Sequence, residues 1–297
     1  MRTVLVTGGT GFLGSKIVEL LIRDGCRVII LVREKSALKR LNRFINNPAL
    51  HKIFINDNKS NSIFLKYKID AVMHTATCYG RNNESWTEIA EANLLLPLRL
   101  LIEGERAGIK CFINADTFFN KKMGFDNNER YYVSTKKNFL AIAQNTAKQF
   151  KIKFINFKIE QMYGPDDSYK KFIPSLINLL SLNTKNIALT SGEQKRDFVF
   201  VNDVAKAFLC AYKNYSTLKS YEEFGIGSGS SVAIKRVVQY LKEVINSRSI
   251  LNFGELNYRK NEIMDSRANL LNNKKINWHS EVDWRDGLTK TIKYHNN

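Results

Sequence analysis

The chain is short of cysteine, has no long apolar run, and carries too few acidic residues to balance its basic ones. Cys26, Cys78, Cys111 and Cys210 are its only cysteines and form no CxxC pair. That spacing argues against a zinc ribbon and a dense disulfide framework, and it fits a reducing cytoplasm. No uninterrupted apolar stretch approaches the roughly 18 residues a membrane-spanning helix needs, so no membrane insertion is expected. The first strand-like run begins at Arg2 with no leader pattern ahead of it, and no secretory signal is expected. Internal repeats and low-complexity linkers are also missing.

Acidic residues number 28 against 46 Lys and Arg, a formal charge of +18. The basic residues come as scattered doublets (Lys39-Arg40, Lys121-Lys122, Lys170-Lys171, Lys274-Lys275) and never as a run of five or six. Such scatter reads as a solvated basic surface, so nucleic acid is not the expected partner. Over 297 residues, a hydrophobic fraction of 44% supplies a core for one large domain or two intimate ones.

The N-terminal half alternates strand and helix patterns. Thr3–Thr7, Arg27–Val32, Lys52–Ile55, Asp70–His74, Lys110–Ala115 and Lys153–Ile159 read as strands. Between them, Gly14–Asp24, Lys35–Phe44, Trp86–Ala107 and Tyr131–Phe150 read as helices. Strands separated by helices imply a parallel sheet covered on both faces, an α/β fold of the Rossmann-type doubly wound class. After Tyr163-Gly164-Pro165 the alternation loosens, with helices predicted at Phe172–Leu182, Asp203–Tyr212, Ala233–Ile245 and from near Trp284, and a strand at Glu223–Ile226. We expect residues 1–165, with about 198–228, to form the dinucleotide-binding domain. Residues 166–197 and 229–297 form a smaller C-terminal α/β substrate lobe.

Thr7-Gly8-Gly9-Thr10-Gly11-Phe12-Leu13-Gly14 joins the first strand to the first helix. Gly8 suits the tight turn, Gly11 lets a pyrophosphate approach the backbone, and Gly14 lets the helix pack closely. Backbone N–H groups and the helix dipole then favour a diphosphate. The second strand runs into Leu31-Val32-Arg33-Glu34-Lys35. Arg33 matches a ribose 2′-phosphate and Lys35 adds charge, which favours NADP(H). Glu34 keeps NAD(H) open, because a carboxylate there binds a ribose hydroxyl if the strand end shifts by one. The full set expected at the cofactor is Gly8, Thr10, Gly11, Phe12, Leu13, Gly14, Arg33, Lys35, Asp57, Ala76, Tyr132 and Lys136.

Tyr132-Val133-Ser134-Thr135-Lys136 places a phenol and an ammonium four residues apart on one helix face. An ammonium there lowers the phenol pKa towards the working pH, so the tyrosine exchanges a proton with a carbonyl or alcohol oxygen. His74, on an apolar strand, reads as a packed residue, since no second metal ligand is spaced to help it. No metal is expected. Asn93 either anchors a water in a proton relay or ties its helix to the sheet.

With these motifs the sequence resembles the extended short-chain dehydrogenases/reductases, the NAD-dependent epimerase/dehydratase family, over nearly its whole length. The resemblance rests on the glycine loop, Asp70-Ala71-Val72-Met73-His74-Thr75-Ala76, Asn93, Tyr132/Lys136, Tyr163-Gly164-Pro165 and Arg196-Asp197-Phe198-Val199-Phe200-Val201-Asn202-Asp203-Val204. More narrowly, the segments Asn114–Lys122, Gly192–Phe198 and Arg259–Met264 are similar to the CDP-abequose and CDP-paratose synthase branch, sugar-nucleotide reductases of O-antigen biosynthesis.

The resemblance implies an NADPH-dependent reductase of the 4-keto group of a CDP-4-keto-3,6-dideoxyglucose-like nucleotide sugar. Tyr132 would donate the proton, and Lys136 would tune it and orient the ribose. The family usually has Ser or Thr at the position of Ala115, and Thr117, two residues on along the strand, is the candidate replacement. A dehydratase needs a carboxylate pair after that position. Here Asp116-Thr117 lacks the glutamate, which disfavours dehydration. Substrate contacts are expected from Thr77, Tyr79, Asp116, Gln161, Arg196 and Arg259, with the two arginines on ribose and phosphates. Homodimers through the helices at Trp86–Ala107 and Tyr131–Phe150 are implied as well. The alternatives are a nucleotide-sugar epimerase and a catalytically impaired dinucleotide-binding protein with a basic partner surface.

Overall fold

The computed structural model describes residues 1–34, 36–55, 60–121 and 127–295. Seven strands form one sheet: β1 (Thr3–Thr7), β2 (Arg27–Val32), β3 (Leu50–Phe54), β4 (Ala71–His74), β5 (Cys111–Thr117), β6 (Lys153–Ile159) and, numbered by chain order, β11 (Tyr221–Ile226). They lie in the order β11-β6-β5-β4-β1-β2-β3, and every pairing is parallel. The break at β1, where the order runs both ways, is the switch point of a doubly wound sheet.

Strand residues alternate between two apolar clusters. Val4, Val6, Val28 and Ile30 pack with Leu13, Ile17 and Leu21 of α1 (Phe12–Arg23) and with Val204, Phe208 and Ala211 of a later helix, Val201–Asn214. Leu5, Ile29, Val72, Phe112 and Phe154 face the other way, onto Phe64 of α2 (Ser60–Tyr67) and onto Leu100 and Phe139. Burial on both faces explains why these strands read as continuous apolar runs.

The expected helix Trp86–Ala107 is present with an interruption. Its parts are α3 (Trp86–Ala90), a π-helical turn (Glu91–Leu95) and α4 (Leu96–Arg106). Pro97 has no N–H to donate back to Asn93, and its ring crowds that carbonyl, so the ladder widens just before it. α5 (Asn127–Ala147) carries the expected Tyr/Lys pair. The helix expected at Lys35–Phe44 is not formed: the described part holds one 3-10 turn, Lys39–Leu41. Leu38, Leu41 and Phe44 recur every three residues, the period of that tighter helix.

The remaining elements are short strands and helices: β7 (Gln161–Tyr163), α6 (Phe172–Ser181), β8 (Asn186–Leu189), β9 (Lys195–Arg196), β10 (Phe198–Phe200), α7 (Val201–Asn214), β12 (Val232–Ala233), α8 (Ile234–Ile245), β13 (Ile250–Phe253), β14 (Asp265–Ser266) and α9 (Trp284–His295). They form small sheets β10-β7, β12-β9-β14 and β13-β8. A third apolar cluster joins α6, α8 and α9. Asp197, fully buried, accepts from Ser228 N–H and Oγ, Gly229 N–H and Ala268 N–H. It thereby gathers two distant stretches of chain, at 228–229 and at 268, on one carboxylate. Among the described residues no helix is long and apolar enough to cross a membrane.

Candidate active site

The glycine loop passes from β1 to α1 at the C-terminal end of the sheet. Gly8 has φ +65°, and a Cβ there would lie 2.7 Å from the Ala76 nitrogen. Gly14 is tighter still, since its Cβ would meet the Gly8 carbonyl oxygen at 2.1 Å. Gly14 therefore packs α1 against the loop itself. Gly11 caps α1 without any side-chain cap, and no acidic residue stands in the first turn. Helix N–H groups and the positive dipole end are left to an anion, and the Cβ-free cradle fits a dinucleotide's diphosphate.

Thr7 closes the loop against β4, a role sequence reasoning missed because strand-end threonines carry no distinguishing signal. Its Oγ1 accepts from the Thr75 and Ala76 N–H groups, both at 3.2 Å, and lies 2.8 Å from His74 Nδ1. With its lone pairs filled, the hydroxyl donates to Nδ1, which leaves the His74 proton on Nε2. Complete burial, with a smaller push from the Lys136 charge, drives the His74 pKa down to about 3. Among the described residues no three His, Cys, Asp or Glu side chains gather to hold a metal ion.

Tyr132, Lys136 and Thr117 come together at the end of β5. Lys136 Nζ donates to the Ala115 carbonyl at 2.8 Å and stands 5.8 Å from the centroid of the Tyr132 ring. The Thr117 hydroxyl interacts with the Tyr132 phenol and favours its ionised form. The expected lowering of the phenol by Lys136 does not appear. Burial comes first and pushes Tyr132 well above its ordinary value, with Tyr79 adding to the rise and Thr117 offsetting part of it. Burial also lowers Lys136, against the opposing charge of Asp116.

β5 runs straight through Thr117, so Ala115 and Thr117 share a face and Asp116 takes the other. There Asp116 accepts from Asn120 Nδ2 at 2.7 Å and from Asn156 Nδ2 at 3.0 Å. Asn156 in turn accepts from Asn114 at 2.8 Å. Asp116, expected at the substrate, is thus engaged in a buried polar network, and burial pushes its pKa up.

Asn93 sits in the π turn. Its Oδ1 accepts the Cys78 N–H and its Nδ2 donates to the Cys78 carbonyl, both at 2.8 Å. These two bonds tie the π turn to the loop after β4. That loop lays Tyr79 over Tyr132, ring centroids 5.0 Å apart, with the Arg81 guanidinium 5.0 Å from the Tyr79 ring.

β2 ends at Val32, so Arg33 is the first residue beyond it, exposed, and no shift brings Glu34 there. Lys35 and Asp57 lie outside the described residues. Thr10, Phe12 and Leu13 line the loop and first turn of α1, and Ala76, Thr77 and Gln161 are partly exposed at the strand ends. Arg196, expected on phosphate, is buried and bonded to Glu262 and to the Lys195 and Ile263 carbonyls. Arg259 is exposed, three residues before Glu262.

Sequence reasoning placed Glu160 only among the strand-end residues converging on the ligand and gave it no role of its own. It is buried, pairs with Lys121 and accepts from Ser266 Oγ at 2.6 Å.

A switch-point glycine cradle facing a buried tyrosine, lysine and threonine defines an extended short-chain dehydrogenase/reductase. The chain belongs to the NAD-dependent epimerase/dehydratase family, whose model matches residues 4–227. It is similar to CDP-abequose synthase of Salmonella typhimurium (strain LT2), 34% identical over 98% of this chain and 97% of that protein. Human dTDP-D-glucose 4,6-dehydratase is 27% identical over 99% of this chain and 90% of its own length. In fold it is like UDP-glucose 4-epimerase of Thermotoga maritima, solved with UDP-glucose: TM-score 0.84, 22% identity, 99% of each chain covered.

Proposed function

We propose that the protein is an NADPH-dependent reductase of the 4-keto group of a nucleotide-diphospho-deoxysugar, of the CDP-4-keto-3,6-dideoxyglucose class, serving dideoxyhexose and O-antigen biosynthesis in the cytoplasm. The observation that carries this reading is the meeting of Tyr132, Lys136 and Thr117 beside the glycine cradle. The similarity to CDP-abequose synthase supports the substrate class.

When bound, NADPH supplies the hydride. Gly8, Gly11 and the first turn of α1 hold the diphosphate, and Arg33 takes the 2′-phosphate through its planar fork. Lys136 holds the ribose. Tyr132 hands its proton to the carbonyl oxygen, and burial suits this direction because it keeps the phenol protonated. Thr117 replaces the hydroxyl that Ala115 lacks and steadies the phenolate left behind. Asp116, turned away and without a following glutamate, supports reduction over dehydration.

Thr77, Tyr79 and Gln161 are assigned to the sugar and Arg259 to the diphosphate, while Arg196 reaches a phosphate by giving up Glu262. The third apolar cluster supports assigning 166–197 and 229–297 to a substrate lobe. Exposed Trp86, Leu95 and Ile142 support a homodimer. The test is NADPH absorbance with CDP-4-keto-3,6-dideoxyglucose, beside NADH. Stoichiometric oxidation of NADPH supports the reading. Isomerisation without net oxidation would replace it with an epimerase.

A further inference from the structure

Lys121 closes the 3-10 turn Phe118–Lys121 that follows Thr117. Its Nζ reaches across to Glu160 at the end of β6, to the Arg267 carbonyl at 2.8 Å and to Ser266 Oγ at 3.4 Å. Glu160 takes a second bond from Ser266 Oγ, at 2.6 Å. The Glu160 side chain is 1% exposed, so its charge has these two partners in place of water. Removing either partner strands a desolvated carboxylate, which makes the cluster a stiff joint.

Two other bonds fasten the same turn near the reacting groups: Phe119 N–H to Thr117 Oγ1 at 3.2 Å, and Asn120 Nδ2 to Asp116. On the far side, Ser266 of β14 stands opposite Arg196 of β9. The Lys121 ammonium thus joins the turn that follows Thr117 to the strand pair that carries Arg196.

We infer that Lys121, held by Glu160 and Ser266, is a positioning residue that sets Thr117 against Tyr132 and ties that setting to the β9-β14 pair. This rests on the reductase reading, because Thr117 is the group being placed. A ligand gripped at Arg196 pulls β14 and, through Lys121, the Thr117 turn. Binding energy far from the reacting carbon is thereby spent on orienting the hydroxyl.

The experiment compares the full-length protein with Lys121→Met, Lys121→Arg and Glu160→Gln in two measurements. Hydrogen exchange on the ligand-free proteins reads the joint without any substrate. Amides of residues 118–121 should exchange about tenfold faster or more in Lys121→Met, with Lys121→Arg restoring protection. Steady-state reduction of the keto sugar nucleotide reads its purpose. In Lys121→Met, kcat should fall about ten- to a hundredfold with the KM for NADPH unchanged, and Lys121→Arg should recover most of it.

Glu160→Gln should follow Lys121→Met in both. Unchanged exchange at 118–121 in both Lys121→Met and Glu160→Gln overturns the inference, as does a rise in KM with kcat intact. If the wild type oxidises no NADPH, the reductase reading fails separately, and the exchange result alone decides the joint.

Discussion

Lys136 Nζ donates to the backbone carbonyl of Ala115, on the strand face that also carries Thr117. The ammonium is thus fixed by a main-chain oxygen that no substitution at position 115 removes. With Tyr132 one turn away on the same helix, the ammonium is held by the β5 backbone and not by the side chain at Ala115.

Tyr132→Phe should therefore abolish turnover without disturbing the lysine. NADPH binding, followed by fluorescence titration, should stay within a few-fold, while kcat falls about 10³-fold or more. Retained turnover would remove Tyr132 as proton donor.

Thr117→Val should lower kcat by about 10² to 10³, the usual range for one lost donor at a developing oxyanion. Ala115→Thr in the Thr117→Val background should return part of that loss, since both positions share a face of β5. A Thr117→Val enzyme with full kcat would show that the hydroxyl is idle.

If Arg33 takes the 2′-phosphate as proposed, Arg33→Ser should raise the KM for NADPH at least about tenfold and leave that for NADH nearly unchanged. Equal effects on both cofactors would argue for a structural arginine.

Gly8→Ala should destabilise the fold or displace the loop, because the residue combines φ +65° with a Cβ contact of 2.7 Å to the Ala76 nitrogen. Strain of this kind costs about 1–3 kcal/mol before the clash is counted. Urea unfolding with and without NADPH measures both effects, and a wild-type midpoint in both would contradict the geometry.

His74 makes stability depend on pH. Its folded pKa, about 3, lies below the unfolded value near 6.5, so between these limits the unfolded chain binds a proton that the native one refuses. Stability should fall as pH drops through that window by about 1.4 kcal/mol per unit from this group. His74→Gln should flatten the slope in urea titrations between pH 6.5 and 4.5, and an unchanged slope would mean that the histidine is hydrated in the folded protein.

Much of the cofactor half was legible because its central strands β1, β2, β4 and β5 are buried on both faces and glycines mark the turns at Gly8–Gly14, Gly25 and Gly108. Thr3–Thr7 and Arg27–Val32 match the observed strands end for end. Sequence could not show which way a polar side chain at a strand end turns. Asp116 and Arg196 looked like ligand groups, and only the third dimension supplies Asn156 and Glu262 as their partners. β9, β12 and β14 are two residues long, too short for any periodicity. The π turn left a single trace, Pro97, whose meaning depends on Asn93 needing to reach Cys78.

The carboxylate of Asp197 gathers donors from Ser228, Gly229 and Ala268, and Asn272 and Asn273 bond the carbonyls of Glu223 and Gly225 on β11. The outer strand of the main sheet thus depends on chain made some fifty residues later. On the ribosome, β1 to β6 can assemble as they emerge, but β11 stays without those partners until residues 268–273 have cleared the exit tunnel. The vectorial order of synthesis therefore leaves one edge of the sheet exposed until the last stretch of chain emerges, and a stall in that interval presents the nascent chain to chaperones with an unsealed β edge.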